Sequence, residues 1–196
     1  MASELALPAH AADYSDPSWP CVQRKVETLS LGLMWPFPLI QNAEAADEQV
    51  IRDGADLADT LALRRVDLDD VDGAMQAFVD RHGGSPEVLG LVFGQVFDTL
   101  STRRTRIING IGDFSLGQIS LSKRVDSVRA KMDIALAAAD PDYDKIDVLE
   151  EQLDWDQIIY TDRQRSITYL CETPTLLERR LFRIAQMLQH YVPDEG

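Results

Sequence analysis

A heptad pattern between residues 143 and 171 constrains the fold more than any other feature of this chain. One position of the heptad is mostly apolar and holds Ile146, Leu153, Tyr160 and Ile167. Its companion position holds Leu149, Asp156, Arg163 and Leu170. A helix with such a stripe buries it against a neighbouring helix. The pattern therefore predicts one long helix of a helical bundle.

The rest of the chain also shows helical spacing, which predicts an all-α fold. The further predicted helices are those over residues 43–65 and 67–82, one from Pro86, one ending near Ala139, and one from Thr173-Pro174. Residues 109–112, Asn-Gly-Ile-Gly, are interpreted as a turn or hinge, with an unbroken helix as the alternative. We therefore predict a helical bundle of five or six helices in which the long C-terminal helices are antiparallel neighbours.

The helix that begins at Pro86 is apolar almost all round, which is typical of a central, buried helix. Ser85 before this proline has the residue type of an N-cap. Gly90 and Gly94 are four residues apart, and their lack of side chains would let a neighbouring helix approach closely. We therefore expect this helix at the centre of the bundle.

The N-terminal region is rich in proline and cannot form a regular helix. Five of the nine prolines occur in the first 38 residues, and proline interrupts helical hydrogen bonding. We predict a single domain over residues 12–196, with residues 12–41 as an extended strap and residues 42–196 as the bundle. Trp19 and Trp35 are interpreted either as anchors packed on the bundle or as an exposed aromatic platform for a partner.

Residues 1–11 resemble the end of a secretory signal peptide. Leu5, Leu7 and several alanines precede small residues at the positions required for cleavage after Ala11. The alternative is an ordinary disordered tail. The first interpretation places residues 1–11 outside the mature domain and predicts an exported protein.

The two cysteines, Cys21 and Cys171, are the only ones in the chain and show no metal-binding spacing. A disulfide between them is the simplest interpretation, and two buried thiols in a cytosolic protein are the alternative. Arginine outnumbers lysine fifteen to four, and alanine is abundant. This composition indicates a GC-rich bacterial genome, so the protein is predicted to be periplasmic or secreted.

The net charge of −14 disfavours nucleic acid as a partner. The one candidate basic patch is Arg103, Arg104 and Arg106, which we interpret as solvated arginines near the end of a helix. No apolar stretch is long enough to cross a bilayer, so no membrane span is predicted.

An acidic segment offers a candidate calcium site. Asp140, Asp142, Asp144 and Glu151 have the spacing of side-chain ligands in an EF-hand loop. Lys145 stands where that loop requires glycine. The alternative is an acidic helix start with Asp142 or Asp144 as the N-cap.

Asp156 and Arg163 place charges on the otherwise apolar heptad stripe. Charges there need partners or solvent. We interpret them as members of interhelical ion pairs, with a pocket lined by Asp156, Tyr160 and Arg163 for a polar ligand as the alternative.

No catalytic motif occurs in the chain. The sequence therefore favours a non-enzymatic accessory protein that binds another envelope protein, or a second copy of itself, through a helix face or the aromatic strap. The alternatives are a helical module that binds calcium or a small ligand, and an enzyme whose site is assembled from distant residues.

Overall fold

The computed structural model of the protein describes residues 16–39 and 47–193. Within these residues all regular elements are helical and none is a strand, so the all-α class is confirmed. The α-helices are α1 (Glu48–Ala62), α2 (Asp72–His82), α3 (Pro86–Leu136) and α4 (Tyr143–Gln189), with short 3-10 turns at Leu31–Leu33 and Leu68–Asp70. The predicted signal segment, residues 1–11, lies outside the described residues, as do residues 12–15 and 40–46.

The number of five or six helices is not confirmed, because the described residues form four α-helices, two of them long. The proposed hinge at residues 109–112 lies within α3, and the proposed helix start at Pro174 lies within α4. Buried Ile108 and Ile111 flank Gly110. Burying a side chain of this size contributes about 1.5–3 kcal/mol, which is more than the roughly 1 kcal/mol by which glycine disfavours a helix.

Local sequence explains where the helices begin. The carboxylate of Asp47 accepts a hydrogen bond from the Gln49 N–H at 2.7 Å before α1. The Ser85 hydroxyl accepts one from the Val88 N–H at 3.3 Å, as expected for the predicted N-cap of α3. Both caps satisfy N–H groups that a helix leaves without a partner at its first turn.

The chain divides into two compact units. The first, which we call the core unit, comprises residues 26–108 and 173–196. Its largest fully buried side chains belong to Trp35, Phe93, Leu61, Met75, Leu89, Leu100, Leu181, Ile184 and Leu188. Residues 86–108 of α3 thus supply much of this core, as their apolar sequence predicts.

Trp35 belongs to the buried cluster of the core unit, with 1% of its surface exposed. Its ring stacks on Phe93 with 5.4 Å between centroids. A Cβ added at Gly90 would lie 3.1 Å from Nε1 of Trp35, whereas one added at Gly94 would meet no atom within 4 Å. The close approach predicted at Gly90 therefore admits a tryptophan and not a neighbouring helix, and Gly94 has no such role.

Arg104 corrects the interpretation of the basic patch as a solvated helix end. Helix α3 continues past it, and only 3% of Arg104 is exposed. Its Nε donates to Oε1 of Glu178 at 2.7 Å, and its Nη1 donates to the Glu27 carbonyl at 3.3 Å. Arg103 and Arg106 are exposed, so this patch is not a cluster of three surface arginines.

The second unit, the hairpin unit, comprises residues 1–25 and 109–172 and is described from Asp16 onwards. In it, residues 109–136 of α3 and 143–172 of α4 run antiparallel and are joined by a short connection. Its buried apolar side chains belong to Ile111, Leu121, Val128, Ile146 and Leu153. Of the heptad stripe, Ile146, Leu153 and Asp156 are thus buried within the chain, whereas Arg163 is exposed.

The predicted disulfide is confirmed. Cys21 and Cys171 are bonded with their Cα atoms 5.5 Å apart. The Ser115 hydroxyl of α3 also donates to the Pro17 carbonyl at 2.7 Å. Residues 16–25 are therefore attached to both helices of the hairpin unit. The strap over residues 12–41 and the single-domain organisation stay predictions.

No helix among the described residues is long and apolar enough to span a membrane.

Candidate protein-binding surface

Asp156 is in an interhelical ion pair, with Arg124 of α3 as its partner. The Asp156 side chain is buried, with 4% of the residue exposed. Nε of Arg124 donates to Oδ2 at 2.7 Å, and Nη2 donates to Oδ1. The hydrogen-bonded carboxylate raises the pKa of the Arg124 guanidinium. Both oxygens of Asp156 are therefore occupied by a protein partner.

Tyr160 and Arg163 do not join Asp156 in a pocket. The guanidinium of Arg163 lies 5.9 Å from the ring centroid of Phe114, which is a cation–π contact. The Tyr160 carbonyl accepts a hydrogen bond from Gln118 at 3.1 Å. The Tyr160 side chain lines a separate shallow groove of about 260 Å³ between α3 and α4. The polar-ligand pocket predicted from these three residues is therefore not formed.

The two tryptophans of the predicted aromatic platform are not displayed together. Trp35 is buried in the core unit. Trp19 belongs to the hairpin unit, where it is half-buried and its indole N–H donates to the Gln23 carbonyl at 2.6 Å. Trp35 is thus a packing anchor, which is the other role that the sequence indicated for it.

The acidic segment adopts the geometry of a helix start. Asp142 Oδ1 accepts a hydrogen bond from the Lys145 N–H at 3.1 Å, and α4 begins at Tyr143. Asp144 and Glu151 therefore lie on the helix and Asp140 on the turn before it. No group of three or more acidic, histidine or cysteine side chains in residues 16–39 and 47–193 could hold a metal ion. The calcium site has no support in this geometry and stays an untested prediction.

An exposed apolar stripe on α4 was not predicted from the sequence. Trp155 has 61% of its surface exposed. Val148 and Ile158 are also more than half exposed, and Ile159 is partly so. Val148, Ile158 and Ile159 lie seven, three and four positions from Trp155. These spacings place all four residues on the side of α4 away from buried Leu153 and Asp156. We call these four residues the Trp155 face.

Carboxylates surround the Trp155 face. A shallow groove of about 350 Å³ is lined by Asp147, Glu150, Glu151, Asp154, Trp155 and Ile158. None of these four carboxylates forms an ion pair with a residue that the structure describes. Residues 140–159 contain eight carboxylates and one cation, Lys145. The surface is therefore apolar at its centre and strongly negative at its rim.

One signal in the sequence could have identified this surface. Trp155 lies between Leu153 and Asp156, which occupy the two heptad positions, so its own position falls off the buried stripe. A large aromatic residue on the polar side of an amphipathic helix must be exposed unless a partner covers it.

Replacing Arg124 with alanine is expected to lower the melting temperature by several degrees. The Asp156 carboxylate would remain buried without its partner, and an unpaired buried charge is strongly destabilising. Thermal unfolding followed by circular dichroism measures the effect. Arg129→Ala is the matched control, since Arg129 is an exposed arginine of α3 with no ion pair among the described residues. Equal melting temperatures for the two variants would contradict a stabilising role for the pair.

In comparisons with known proteins, the chain matches no protein-family model, no curated protein and no solved structure.

Proposed function

We propose that this chain is a non-enzymatic accessory protein, exported to the periplasm, that binds a basic segment of another envelope protein on the Trp155 face. The observation that carries the proposal is an exposed tryptophan within an apolar stripe, surrounded by carboxylates that form no ion pair with a described residue. Contiguous exposed apolar surface is typical of interaction sites. Tryptophan is also among the residues that contribute most to binding energy at protein interfaces.

The charge of the rim indicates the chemistry of the partner. Asp147, Glu150, Glu151 and Asp154 would attract lysine and arginine side chains, and they would disfavour an acidic surface by like-charge repulsion. A second copy of this chain would bring the same carboxylates against each other, so self-association is disfavoured at this face. The partner that fits is an amphipathic helix with apolar residues on one side and basic residues beside them.

Two observations support export. The disulfide between Cys21 and Cys171 fits an oxidising compartment, where such bonds persist. Residues 5–11, outside the described residues, have the composition of the end of a signal peptide. Together they favour the periplasm as the place where the Trp155 face meets its partner.

The proposal is tested with an amphipathic peptide of leucine and lysine, about 18 residues or five helical turns long. A matched peptide has glutamate in place of each lysine. We expect the basic peptide to bind the oxidised protein and the acidic peptide not to bind, as measured by fluorescence anisotropy of labelled peptide. Trp155→Ala should raise the Kd at least tenfold, since a central tryptophan typically contributes about 2 kcal/mol or more.

Two control variants separate the Trp155 face from general surface effects. Phe182→Ala removes an exposed aromatic ring of α4 outside the face and should leave the Kd unchanged. The variant Asp147→Asn/Glu150→Gln/Glu151→Gln should weaken binding and reduce its salt dependence. A variant with the same change in net charge elsewhere, Asp56→Asn/Asp59→Asn/Asp98→Asn, should not weaken it.

Three results would overturn the proposal. The first is equal affinity for the basic and acidic peptides. The second is binding that Trp155→Ala leaves unchanged. The third is a dimer in sedimentation analysis that Trp155→Ala dissociates, which would make a second copy of the chain the occupant of this face.

A further inference from the structure

Five arginines line one cavity of the core unit. The cavity is shallow and open to solvent, has a volume of about 390 Å³ and is lined by Arg64, Arg65, Val66, Asp67, Leu68, Arg179, Arg180 and Arg183. These arginines are one third of the fifteen in a chain whose net charge is −14. Such a concentration of positive charge is unusual in a protein with so negative a net charge. We call it the arginine cavity.

Two distant segments form the arginine cavity. Arg64 and Arg65 lie in the turn that follows α1. Arg179, Arg180 and Arg183 lie in α4, at spacings that keep their side chains close together on the helix surface. The Nε of Arg180 donates to the Leu61 carbonyl at 2.8 Å, which fixes this guanidinium against the end of α1. The site is thus built on the turn after α1, on a stretch within α4 and on a side chain held in place.

The arginines exceed the carboxylates that could neutralise them. Arg183 is paired with Asp69, and Asp67 is the other carboxylate at the site. Three positive charges therefore remain in excess. No ion pair joins Arg64, Arg65 or Arg179 to a residue that the structure describes.

Arg180 has a hydrogen-bonding group that the described protein does not satisfy. Its Nη2 is buried and has no hydrogen-bond partner among the described residues. Burial lowers the pKa of the Arg180 guanidinium. The negative charge of Asp67 raises this pKa, and the positive charge of Arg183 lowers it. A buried donor without an acceptor is unfavourable, so an oxyanion at this position would stabilise the folded protein.

We propose that the arginine cavity binds a multiply charged phosphate group. Guanidinium groups pair with phosphate oxygens through parallel N–H donors, and several arginines together match more than one negative charge. A monocarboxylate would neutralise only one of the three excess charges. The volume lies within the range of about 300–1,000 Å³ that is usual for ligand sites. The phosphate belongs either to a small molecule or to a lipid headgroup.

This inference does not depend on the proposed function. The arginine cavity belongs to the core unit, and the Trp155 face belongs to the hairpin unit. The two are tested with different ligands and different variants, so failure of one leaves the other in place.

Calorimetric titration of the full chain with inorganic pyrophosphate, at low ionic strength, tests the proposal. We expect pyrophosphate to bind more tightly than acetate and to raise the melting temperature. The variant Arg64→Gln/Arg65→Gln should weaken pyrophosphate binding at least tenfold. Both side chains are exposed and unpaired among the described residues, so the variant should fold normally. The matched control is Arg103→Gln/Arg106→Gln, which removes the same charge from exposed positions of α3 and should bind as the unmodified chain does.

A second arm identifies the source of the phosphate. Vesicles of phosphatidylcholine with and without phosphatidate are sedimented with the protein. Binding of free pyrophosphate without binding to vesicles supports a small phosphorylated molecule. Binding only to phosphatidate vesicles, and its loss in Arg64→Gln/Arg65→Gln, supports a headgroup. The proposal is overturned if neither ligand binds, or if the control variant loses as much affinity as the cavity variant.

Discussion

The Cys21→Ser/Cys171→Ser variant is expected to have a free energy of unfolding about 5 kcal/mol lower than that of the oxidised chain. The disulfide joins residues 150 positions apart. Closing a loop of that length removes conformational entropy from the unfolded chain, so less entropy is lost when the chain folds. Folded domains are stable by only about 5–15 kcal/mol, so this loss is a large part of the total. Urea denaturation of both proteins measures the difference.

The control for this prediction is Ser115→Ala, which removes the hydrogen bond to the Pro17 carbonyl and keeps the disulfide. We expect it to lower the free energy of unfolding by only about 1 kcal/mol. Single Cys21→Ser should behave like the double variant, because either change opens the loop. An unfolding midpoint of the double variant equal to that of the oxidised chain would show that the bond contributes little.

Trp35→Ala is expected to lower the free energy of unfolding by about 3–5 kcal/mol, the usual range for removing a large buried aromatic side chain. The indole packs on Phe93 and Phe37 and against Gly90, with 1% of its surface exposed. Its removal would leave a cavity that the surrounding helices cannot fill without moving. Urea denaturation again gives the magnitude.

Trp155→Ala is the matched control, because it makes the same change at a tryptophan that is 61% exposed. Its expected effect is within about 0.5 kcal/mol, as for most surface substitutions. Trp35→Phe should cause a smaller loss than Trp35→Ala. It keeps a ring in the core and removes an indole N–H that has no hydrogen-bond partner among the described residues. Equal losses at positions 35 and 155 would contradict the assignment of Trp35 to the core.

Periodicity predicted the helical class and the antiparallel pair in the hairpin unit, because both follow from the spacing of apolar residues. At residues 109–112 the structure has the unbroken helix that the sequence offered as the alternative to a turn, whereas the helix start predicted at Pro174 is wrong because Pro174 lies inside α4. Local breakers disfavour a helix by a few kcal/mol at most. Burial of apolar residues on both sides of the breaker can exceed that amount, and the sequence alone does not reveal which effect is larger.

The chemistry of the sites depends on contacts between residues that are far apart in the sequence, and periodicity does not reveal such contacts. The heptad placed Asp156 on the buried stripe but did not identify Arg124, which lies 32 positions away, as its partner. The arginine cavity combines residues 64–65 with residues 179–183, and nothing in either segment points to the other. By contrast, Trp155 could have been recognised from its position off the stripe, because exposure on a helix follows from periodicity alone.

The pairing of Cys21 with Cys171 also affects how the protein matures. A chain with two cysteines has one possible intramolecular disulfide, so oxidation cannot trap a wrongly paired isomer of a single molecule. The competing product is a dimer linked between chains, and its yield rises with protein concentration. Oxidative folding of this protein should therefore depend on dilution and on the supply of oxidant, with little need for an enzyme that rearranges disulfides.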